Sequence, residues 1–424
     1  MPLESLPEPF SRHRQTEIFM GKLRGKERKI PVSFDKLRKA ARQKMSKQAY
    51  AYVAGSAGTE STKQSNREDF KKLKIIPRML RGVSNCNTKI DLFGRRLPAP
   101  FLLAPIGVLE MAHKDADLAV AQAASEEDLP FIFSSQASVT MEECSSAMGD
   151  SPRWFQLYWS KNDDLVESFV KRAENCGCEA IVLTLDTTML GWRPRDLDLD
   201  YLPFLHGKGI AQYTGDPVFK RMMDTFPDDE SPKITWDSLR ALILMSKNYP
   251  GSFWKNLFSD KPRKAVKTFI KTYSRPSLTW KDLSFLRSLT NLPILLKGIL
   301  SPGDARKAIA AEMDGIIVSN HGGRQIDGSI SSIEALPMIA ETVQGKVPVL
   351  LDSGIRSGGD IFKAIALGAD AVLLGRPYVY ALAIAGKAGV REVIRNYRAD
   401  FELTMGLSGI DSILDISRKC LKDI

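Results

Sequence analysis

From about residue 95 onwards the chain repeats one pattern: a short, nearly uninterrupted apolar run, a polar or glycine-containing turn, and then a helix-length stretch. The runs are Phe101 to Ala104, Phe131 to Ser134, Trp154 to Leu157, Ala180 to Leu185, Pro293 to Leu296, Gly315 to Val318, Val347 to Leu351 and Ala371 to Leu374. Runs without polar alternation suit strands covered on both faces. The stretches between them carry apolar residues at three- and four-residue spacing, as in Asp115 to Glu127 (Ala116, Leu118, Ala119, Ala123, Ala124), Asp163 to Asn175 (Leu165, Val166, Phe169, Val170) and Asp360 to Leu367 (Ile361, Phe362, Ile365), and read as helices. Eight strands alternating with helices predict a closed parallel (β/α)8 TIM barrel of the α/β class. An open, doubly wound sheet would give similar local patterns. The count of eight, and the polar residues gathered just after several runs, favour the barrel.

The pattern also sets the domain organisation. Residues 1–95 form an N-terminal extension and lead-in segment, and residues 96–424 form the barrel. Within the extension, Leu37, Ala40, Ala41, Met45, Ala49 and Tyr52 predict one helix over Ser33 to Val53, stopped by Gly55-Ser56-Ala57-Gly58. Tyr52 then stands near the helix end, where its ring can pack and its hydroxyl can emerge. The rhythm fails from Gly191 to about Thr279, where Pro194, Pro203, Pro227, Pro232, Pro250 and Pro262 interrupt the chain and only Trp236 to Ser246 looks helical. A structureless loop of this length would be unusual, so 191–279 is expected to be an insertion after strand four, placed like a lid over the barrel mouth.

Composition narrows the function classes. The 424 residues hold 60 Lys and Arg against 50 Asp and Glu, a formal charge of +10, which raises the question of an anionic partner. Part of the excess lies in Lys22, Arg24, Lys26, Arg28, Lys29, Lys36, Arg38 and Lys39, which reads as a solvated basic face or as a partner-binding arm. No zinc-finger spacing or aromatic ribonucleoprotein signature accompanies it, so nucleic acid is not an expected partner. Cys86, Cys144, Cys176, Cys178 and Cys420 are too few and too scattered for a secreted disulfide framework. Cys176-Gly177-Cys178 is too short a spacing for a metal or redox motif, and no metal is expected. Residues 1–30 contain no apolar signal core, and no stretch approaches the roughly 20 apolar residues of a spanning helix. A cytoplasmic protein with no membrane partner is the expectation, and Glu4 and Glu8 argue against an ordinary mitochondrial leader.

The strand ends carry the chemistry. After strand seven comes Asp352-Ser353-Gly354-Ile355-Arg356-Ser357-Gly358-Gly359, and after strand eight Gly375-Arg376-Pro377. Glycines let backbone amides approach an anion, arginines add charge-assisted bonds, and barrel phosphate sites frequently use these two loops. Lys297, directly after strand five, places positive charge at the mouth, unless it is a snorkelling structural lysine. Strand six leads to Ser319-Asn320-His321-Gly322-Gly323-Arg324-Gln325. An imidazole there can take a proton near neutral pH and a guanidinium can clamp a carboxylate; either residue alone would read as a structural polar group. On strand four, Thr184 and Asp186 leave the same face, so Asp186 can orient His321. Arg193 follows in Gly191-Trp192-Arg193, and Gln156 and Tyr158 share a face after strand three. Tyr158 and Tyr52 could meet a polar substrate from opposite sides or close an aromatic core.

Taken together, Ser319–Gln325, Leu296-Lys297-Gly298, Phe155-Gln156-Leu157-Tyr158, Asp352–Arg356 and Gly375-Arg376-Pro377 resemble the flavin-dependent L-2-hydroxy acid oxidase and dehydrogenase family, in the right order from about Tyr50 to Gly409. The resemblance implies FMN in the barrel, with Lys297, Gln156, Thr184, Ser134 and Ser319 on the flavin side and Pro105-Ile106-Gly107 beside it. It also implies Asp352, Gly354, Arg356, Gly375 and Arg376 at the phosphate end. Tyr52, Tyr158, Arg193, His321 and Arg324 become the substrate set, with His321 as base and Asp186 as its partner. The implied partners are a small 2-hydroxy acid and molecular oxygen, and the implied assembly is a homo-oligomer, a tetramer or higher. Gly107, Gly191-Trp192-Arg193-Pro194-Arg195-Asp196, Tyr201-Leu202-Pro203-Phe204-Leu205 and the long insertion resemble the lactate-monooxygenase branch, which converts L-lactate and oxygen to acetate, carbon dioxide and water. The alternatives are an oxidase that releases the 2-keto acid and hydrogen peroxide, and a dehydrogenase with another electron acceptor. Outside enzymology, an FMN- or anion-binding scaffold fits the same anion motifs.

Overall fold

A computed structural model describes residues 9–25, 28–225 and 235–423. Lys26 of the basic cluster, Glu4 and Glu8, and Pro227 and Pro232 of the insertion lie outside the described residues. Eight strands, β1 (Phe101–Leu103), β2 (Phe131–Ser134), β3 (Arg153–Leu157), β4 (Ile181–Thr184), β5 (Ile294–Ile299), β6 (Gly315–Val318), β7 (Val349–Leu351) and β8 (Ala371–Leu374), pair in parallel and close into a barrel. The seam is β8 on β1, with Val372 opposite Phe101 and Leu374 opposite Leu103. Each strand coincides with one of the eight apolar runs.

The period of two within each strand divides the apolar residues between two cores. Phe101, Leu103, Phe131, Phe133, Ile181, Leu183, Ile294, Leu296, Ile316 and Val318 point outwards into a large core shared with the helices. Leu102, Ile132, Trp154, Val182, Leu295, Ile317, Leu350 and Leu373 point inwards and fill the barrel as a separate cluster. A hairpin of strands Ile90–Leu92 and Arg95–Leu97 adds Leu92 and Leu97 to that cluster, and the Phe93 ring meets Trp154 edge-on at 5.7 Å. The barrel is therefore plugged by apolar side chains below its mouth.

One sequence expectation is corrected. The helix expected over Ser33 to Val53 is two helices, Phe34–Lys44 and Lys47–Ala54. Met45 is extended, and the Ser46 hydroxyl accepts from Ala49 N at 3.1 Å, so a serine cap starts a new helix where apolar spacing alone would continue the old one. The short second helix turns Tyr52 towards the barrel mouth.

The chain ends are tied together. Leu73–Ile75 pairs antiparallel with Leu421–Asp423, and the buried Arg14 of helix Phe10–Leu23 bonds Asn396 (3.0 and 2.9 Å) and Glu392 (2.5 Å) on the terminal helix Arg376–Leu407. Among the described residues no helix is long and apolar enough to cross a membrane.

The insertion between β4 and β5 is largely helical and is anchored by aromatic rings. Helix Lys261–Thr272 sends Phe269 into contact with Tyr213 (4.8 Å, edge-on), Phe204 (5.1 Å) and Tyr273 (5.0 Å, stacked). Tyr213 in turn meets Phe169 of the barrel helix Asp163–Asn175 at 5.0 Å, so the insertion shares the barrel's outer core. The buried Tyr213 hydroxyl has no hydrogen-bond partner, and an unsatisfied buried polar group is a net cost. Tyr213→Phe is therefore expected to stabilise the protein by about 1 kcal/mol, read as a raised midpoint in urea unfolding; a lowered midpoint would show that the hydroxyl is satisfied in solution.

Candidate active site

Two residues beyond each inward apolar side chain, the strand period brings the next inward position to the top of the barrel. Reading round the barrel, these positions are Ala104, Ser134, Gln156, Thr184, Lys297, Ser319, Asp352 and Gly375. One layer of polar and small residues thus sits on an apolar plug. Its members bond to one another: Ser134 Oγ donates to Gln156 Oε1 (3.0 Å), Gln156 Nε2 to Thr184 Oγ1 (3.1 Å), and Lys297 Nζ to Ser319 Oγ (2.8 Å). Ala104, Lys297, Asp352 and Gly375 open on a cavity at the mouth. Ser134, Gln156, Thr184 and Ser319 are buried in the same layer but do not line the cavity wall.

Lys297 is the hinge of the layer. Its ammonium lies 3.4 Å from Asp186 Oδ2 and 3.2 Å from Asp352 Oδ2, with a side chain only 4% exposed. Burial opposes its charge, but the two carboxylates outweigh burial and raise its pKa above the ordinary lysine value. Asp186 is likewise opposed by burial and held well below the usual carboxylate range by His321 and Lys297. Its second oxygen, Oδ1, is 2.7 Å from His321 Nδ1 and accepts from Thr187 Oγ1 at 2.8 Å. An ionised carboxylate only accepts, so Nδ1 carries the imidazole proton and Nε2 keeps its lone pair. Burial lowers the His321 pKa more than Asp186 raises it. The arrangement is a neutral imidazole oriented by an anion, which can act as a general base.

The loops after β7 and β8 hold two partly buried cations with no acidic partner in ion-pair range among the described residues. Arg376 donates to the carbonyls of Val53 (2.9 Å), Gly322 (3.1 Å) and Gly55 (2.9 Å), and burial pulls its pKa down to about 10. Arg356 donates to its neighbour Ile355 O (2.6 Å) and lies over the Phe34 ring at 4.4 Å, also lowered by burial. The nearby Asp360 carboxylate is taken by Arg67 (2.9 Å) and by the Arg356 backbone amide (2.8 Å) rather than by the Arg356 guanidinium. Two partly buried charges without an ion-paired carboxylate, beside a glycine-bearing loop, suit an anion. The donors present therefore fit a phosphate.

A second pair of arginines, with no carboxylate in ion-pair range among the described residues and only Asp196 acting on them from farther off, stands on the outer side of His321. Arg193 donates to Arg324 O (3.1 Å) and Gln325 Oε1 (2.8 Å), and burial together with Arg324 lowers its pKa to about 10. Arg324 bonds the carbonyls of Tyr52 and Gly55 and lies over the Tyr52 ring at 4.7 Å. Tyr158, buried, has its pKa pushed up to about 12 by burial and by Asp186, so its phenol keeps its proton. Tyr52, Tyr158, Arg193, His321 and Arg324 line the same cavity as Arg356 and Arg376, and so do Pro105, Ile106, Gly107 and Gly354. The insertion supplies its outer wall through Leu202, Phe204, Phe269 and Tyr273.

Several residues of this site escaped the sequence reading. Thr187 bonds Asp186 and approaches His321 Nδ1 (3.2 Å), and Gln325 ties Arg193 to the backbone of Asp186 and Met189 (2.8 Å each). Ser353 bridges Asp352 and Gly322 N (2.7 and 2.8 Å). All three are immediate neighbours of singled-out residues, which was the available signal. Leu202 and Phe204 of the wall lay in the Tyr201–Leu205 stretch already singled out, whereas Gln136, Phe269 and Tyr273 gave no signal.

A closed barrel whose mouth joins an anion cradle, a buried lysine and a histidine–aspartate pair faced by two arginines defines a flavoenzyme-type oxidoreductase site for a carboxylate substrate. The sequence profile of the FMN-dependent dehydrogenase family matches residues 41–423. The chain is 41% identical over 384 residues to an L-lactate oxidase of Lysinibacillus sphaericus, covering 91% of each protein. It is 39% identical over 420 residues to an FMN-dependent alpha-hydroxy acid dehydrogenase of Schizosaccharomyces pombe, covering 98% of this chain and 96% of the other. The crystal structure of mandelate oxidase with (S)-4-hydroxymandelic acid superposes with a TM-score of 0.75 at 35% identity, over 92% of this chain and 98% of that one. The protein belongs to the FMN-dependent dehydrogenase family. Its cofactor is FMN, and it is an FMN-dependent 2-hydroxy acid oxidoreductase.

The buried charge triad makes a stability prediction that does not depend on turnover. Lys297→Met leaves Asp186 and Asp352 facing each other without their shared cation, and is expected to cost about 3 kcal/mol at neutral pH. Denaturant unfolding of wild type and variant would check this; an unchanged midpoint would mean that the carboxylates find other compensation.

Proposed function

We propose that this enzyme oxidises a short-chain L-2-hydroxy acid, L-lactate foremost, and in the presence of oxygen carries it through to acetate, carbon dioxide and water. The observation that carries the oxidation is the facing of a neutral His321, oriented by Asp186, with Arg193 and Arg324, neither of which has a carboxylate in ion-pair range among the described residues. The reading assigns Arg356, Arg376, Asp352, Gly354 and Gly375 to the phosphate end of FMN. It assigns Ser134, Gln156, Thr184, Lys297, Ser319 and the Pro105–Gly107 backbone to the ring side. When bound, FMN supplies the two-electron acceptor. Arg193 and Arg324 clamp the substrate carboxylate through charge-assisted bonds, and the Tyr52 and Tyr158 phenols orient its oxygens. His321 Nε2 receives the proton that leaves the substrate, and Asp186 stabilises the imidazolium that results. Lys297 keeps positive charge under the site where electrons accumulate.

Complete conversion of the keto acid requires that it stay in the site. The wall of Leu202, Phe204, Phe269 and Tyr273 favours retention by covering the mouth. Gly107 supports the same reading: a methyl group there would come within 3.0 Å of Gln136 Cβ, so the backbone beside the proposed flavin position is packed without a side chain. The overall step balances, because lactic acid and one O2 contain the atoms of acetic acid, CO2 and water. The similarity to an L-lactate oxidase supports the competing outcome, release of pyruvate and hydrogen peroxide.

Carbon-13 NMR of products from labelled L-lactate, under air and with catalase present, separates the two. Acetate and carbon dioxide are expected; accumulating pyruvate would make the enzyme an oxidase, and unchanged lactate would remove lactate as substrate. For the base, His321→Gln is expected to retain bound FMN but to slow anaerobic flavin reduction by about a thousandfold, and a normal reduction rate would remove His321 from the step. Because burial holds the His321 pKa below its ordinary 6.5, the wild-type kcat/KM should be flat through neutral pH. It should fall on acidification only below that value, as Nε2 becomes protonated; an acid limb above 6.5 would contradict the assignment.

A further inference from the structure

The substrate-facing side chains come from four stretches of chain: Tyr52 from the N-terminal extension, Tyr158 from just after β3, Arg193 from the start of the insertion, and His321 and Arg324 from the loop after β6. The first, third and fourth of these meet at the turn 55–61. Gly55 O accepts from both Arg324 (3.2 Å) and Arg376 (2.9 Å). Ala57 N donates to Gly323 O and Gly58 N to Trp192 O, each at 2.9 Å. Glu60 accepts from Arg195 (2.6 Å) and pairs with Lys63. The turn therefore touches the stretches that supply Tyr52, Arg193, His321 and Arg324.

Within the β6 loop, one side chain makes four further bonds to that turn. Asp327 Oδ2 accepts from Thr59 N (2.6 Å) and Thr59 Oγ1 (2.5 Å), and its Oδ1 accepts from Ser61 N (2.8 Å) and Ser61 Oγ (2.9 Å). All four acceptances are to one short segment. That segment opens helix Ser61–Lys72, whose N-cap residue, Glu60, is left-handed (φ 68) and makes no side-chain cap bond. The carboxylate needed at this helix start is thus supplied in trans, three residues after Arg324, where it also complements the helix dipole. The fit is close: Gly58 has φ 49, and a Cβ there would lie 2.5 Å from Asp327 Oδ2.

We propose that Asp327 is a positioning residue for substrate binding, clamping the 55–61 turn to the β6 loop so that Tyr52, Arg193 and Arg324 converge on one carboxylate. The proposal rests on the assignment of those residues to the substrate. Asp327 touches neither substrate nor flavin; it acts through the turn, and a small displacement of positioned groups has a large kinetic effect. Losing the clamp should weaken ground-state and transition-state binding alike, which raises KM and leaves kcat nearly intact. A helix cap with no link to the site would lower the melting temperature and leave KM alone.

The test uses FMN-loaded enzyme and L-lactate, with oxalate titrated against the flavin spectrum as an unreactive carboxylate probe. Asp327→Asn is expected to raise both KM and the oxalate dissociation constant about tenfold or more, with kcat changed less than about threefold. Gly58→Ala, which leaves Asp327 in place but wedges the same contact, is expected to give the same split. The double variant should be no worse than the more severe single one, as for groups in one unit. Unchanged KM and oxalate affinity in both single variants, whatever their melting temperatures, would overturn the proposal. Arg324→Met serves as reference: if it leaves oxalate binding intact, the substrate assignment has failed. If Arg324→Met abolishes binding while Asp327→Asn and Gly58→Ala do not disturb it, the clamp alone has failed.

Discussion

The rest of the site depends on how one buried cation is satisfied. Lys297 stands at the top of an apolar plug, where an ammonium is tolerated only with partners, and its partners are Asp186 and Asp352 from two different strand ends. Each carboxylate has a second oxygen, and each is used to place something else. Asp186 orients His321 and takes the Thr187 hydroxyl; Asp352 takes Ser353, which in turn holds Gly322 next to His321. The imidazole is thus oriented by Asp186 and its loop is held through Asp352, two anions that share one lysine. Neutralising that lysine would disturb the base, the β6 loop and the anion cradle together.

The barrel was legible in the sequence because two independent signals agreed: apolar runs long enough for strands buried on both faces, and helical periodicity between them. Part of the polar mouth layer was legible for a related reason: the period of two put Thr184 with Asp186, and Gln156 with Tyr158, on one face, and strand position marked Lys297 and Asp352. Ser134 and Ser319 came instead from the family resemblance, although the same period places them inwards. Local spacing failed where a polar cap overrides apolar periodicity, as at Ser46. It also gave no sign of contacts whose members lie far apart in the chain. Asn66 and Asn320 exchange amide bonds at 2.8 and 2.7 Å, and Arg67 diverts Asp360 from Arg356, yet neither pair leaves a mark in any window of sequence.

The insertion shows the same limit from the other side. Its prolines marked a break in the repeat, but not the reason it holds to the barrel. That reason is an aromatic cluster reaching from Phe169 on a barrel helix through Tyr213 to Phe204, Phe269 and Tyr273. Because Phe204, Phe269 and Tyr273 also wall the cavity, packing that anchors the insertion and packing that shapes the substrate space are one set of contacts. Selection on pocket shape in this enzyme would therefore be constrained by stability more tightly than in a site walled by a free-standing loop.

The pairing of first and last strands has a consequence for biosynthesis. Phe101 finds its partner only in Val372, and Leu73–Ile75 finds Leu421–Asp423 at the end of the chain. During translation the growing sheet keeps an open edge at β1 until β8 has emerged, and Leu73–Ile75 stays unpaired until Leu421–Asp423 is made. An unpaired strand edge is a template for association with other chains. The nascent protein therefore remains exposed to misassembly throughout the synthesis of the barrel, and termination anywhere before β8 yields a product with no closed barrel and a free strand edge.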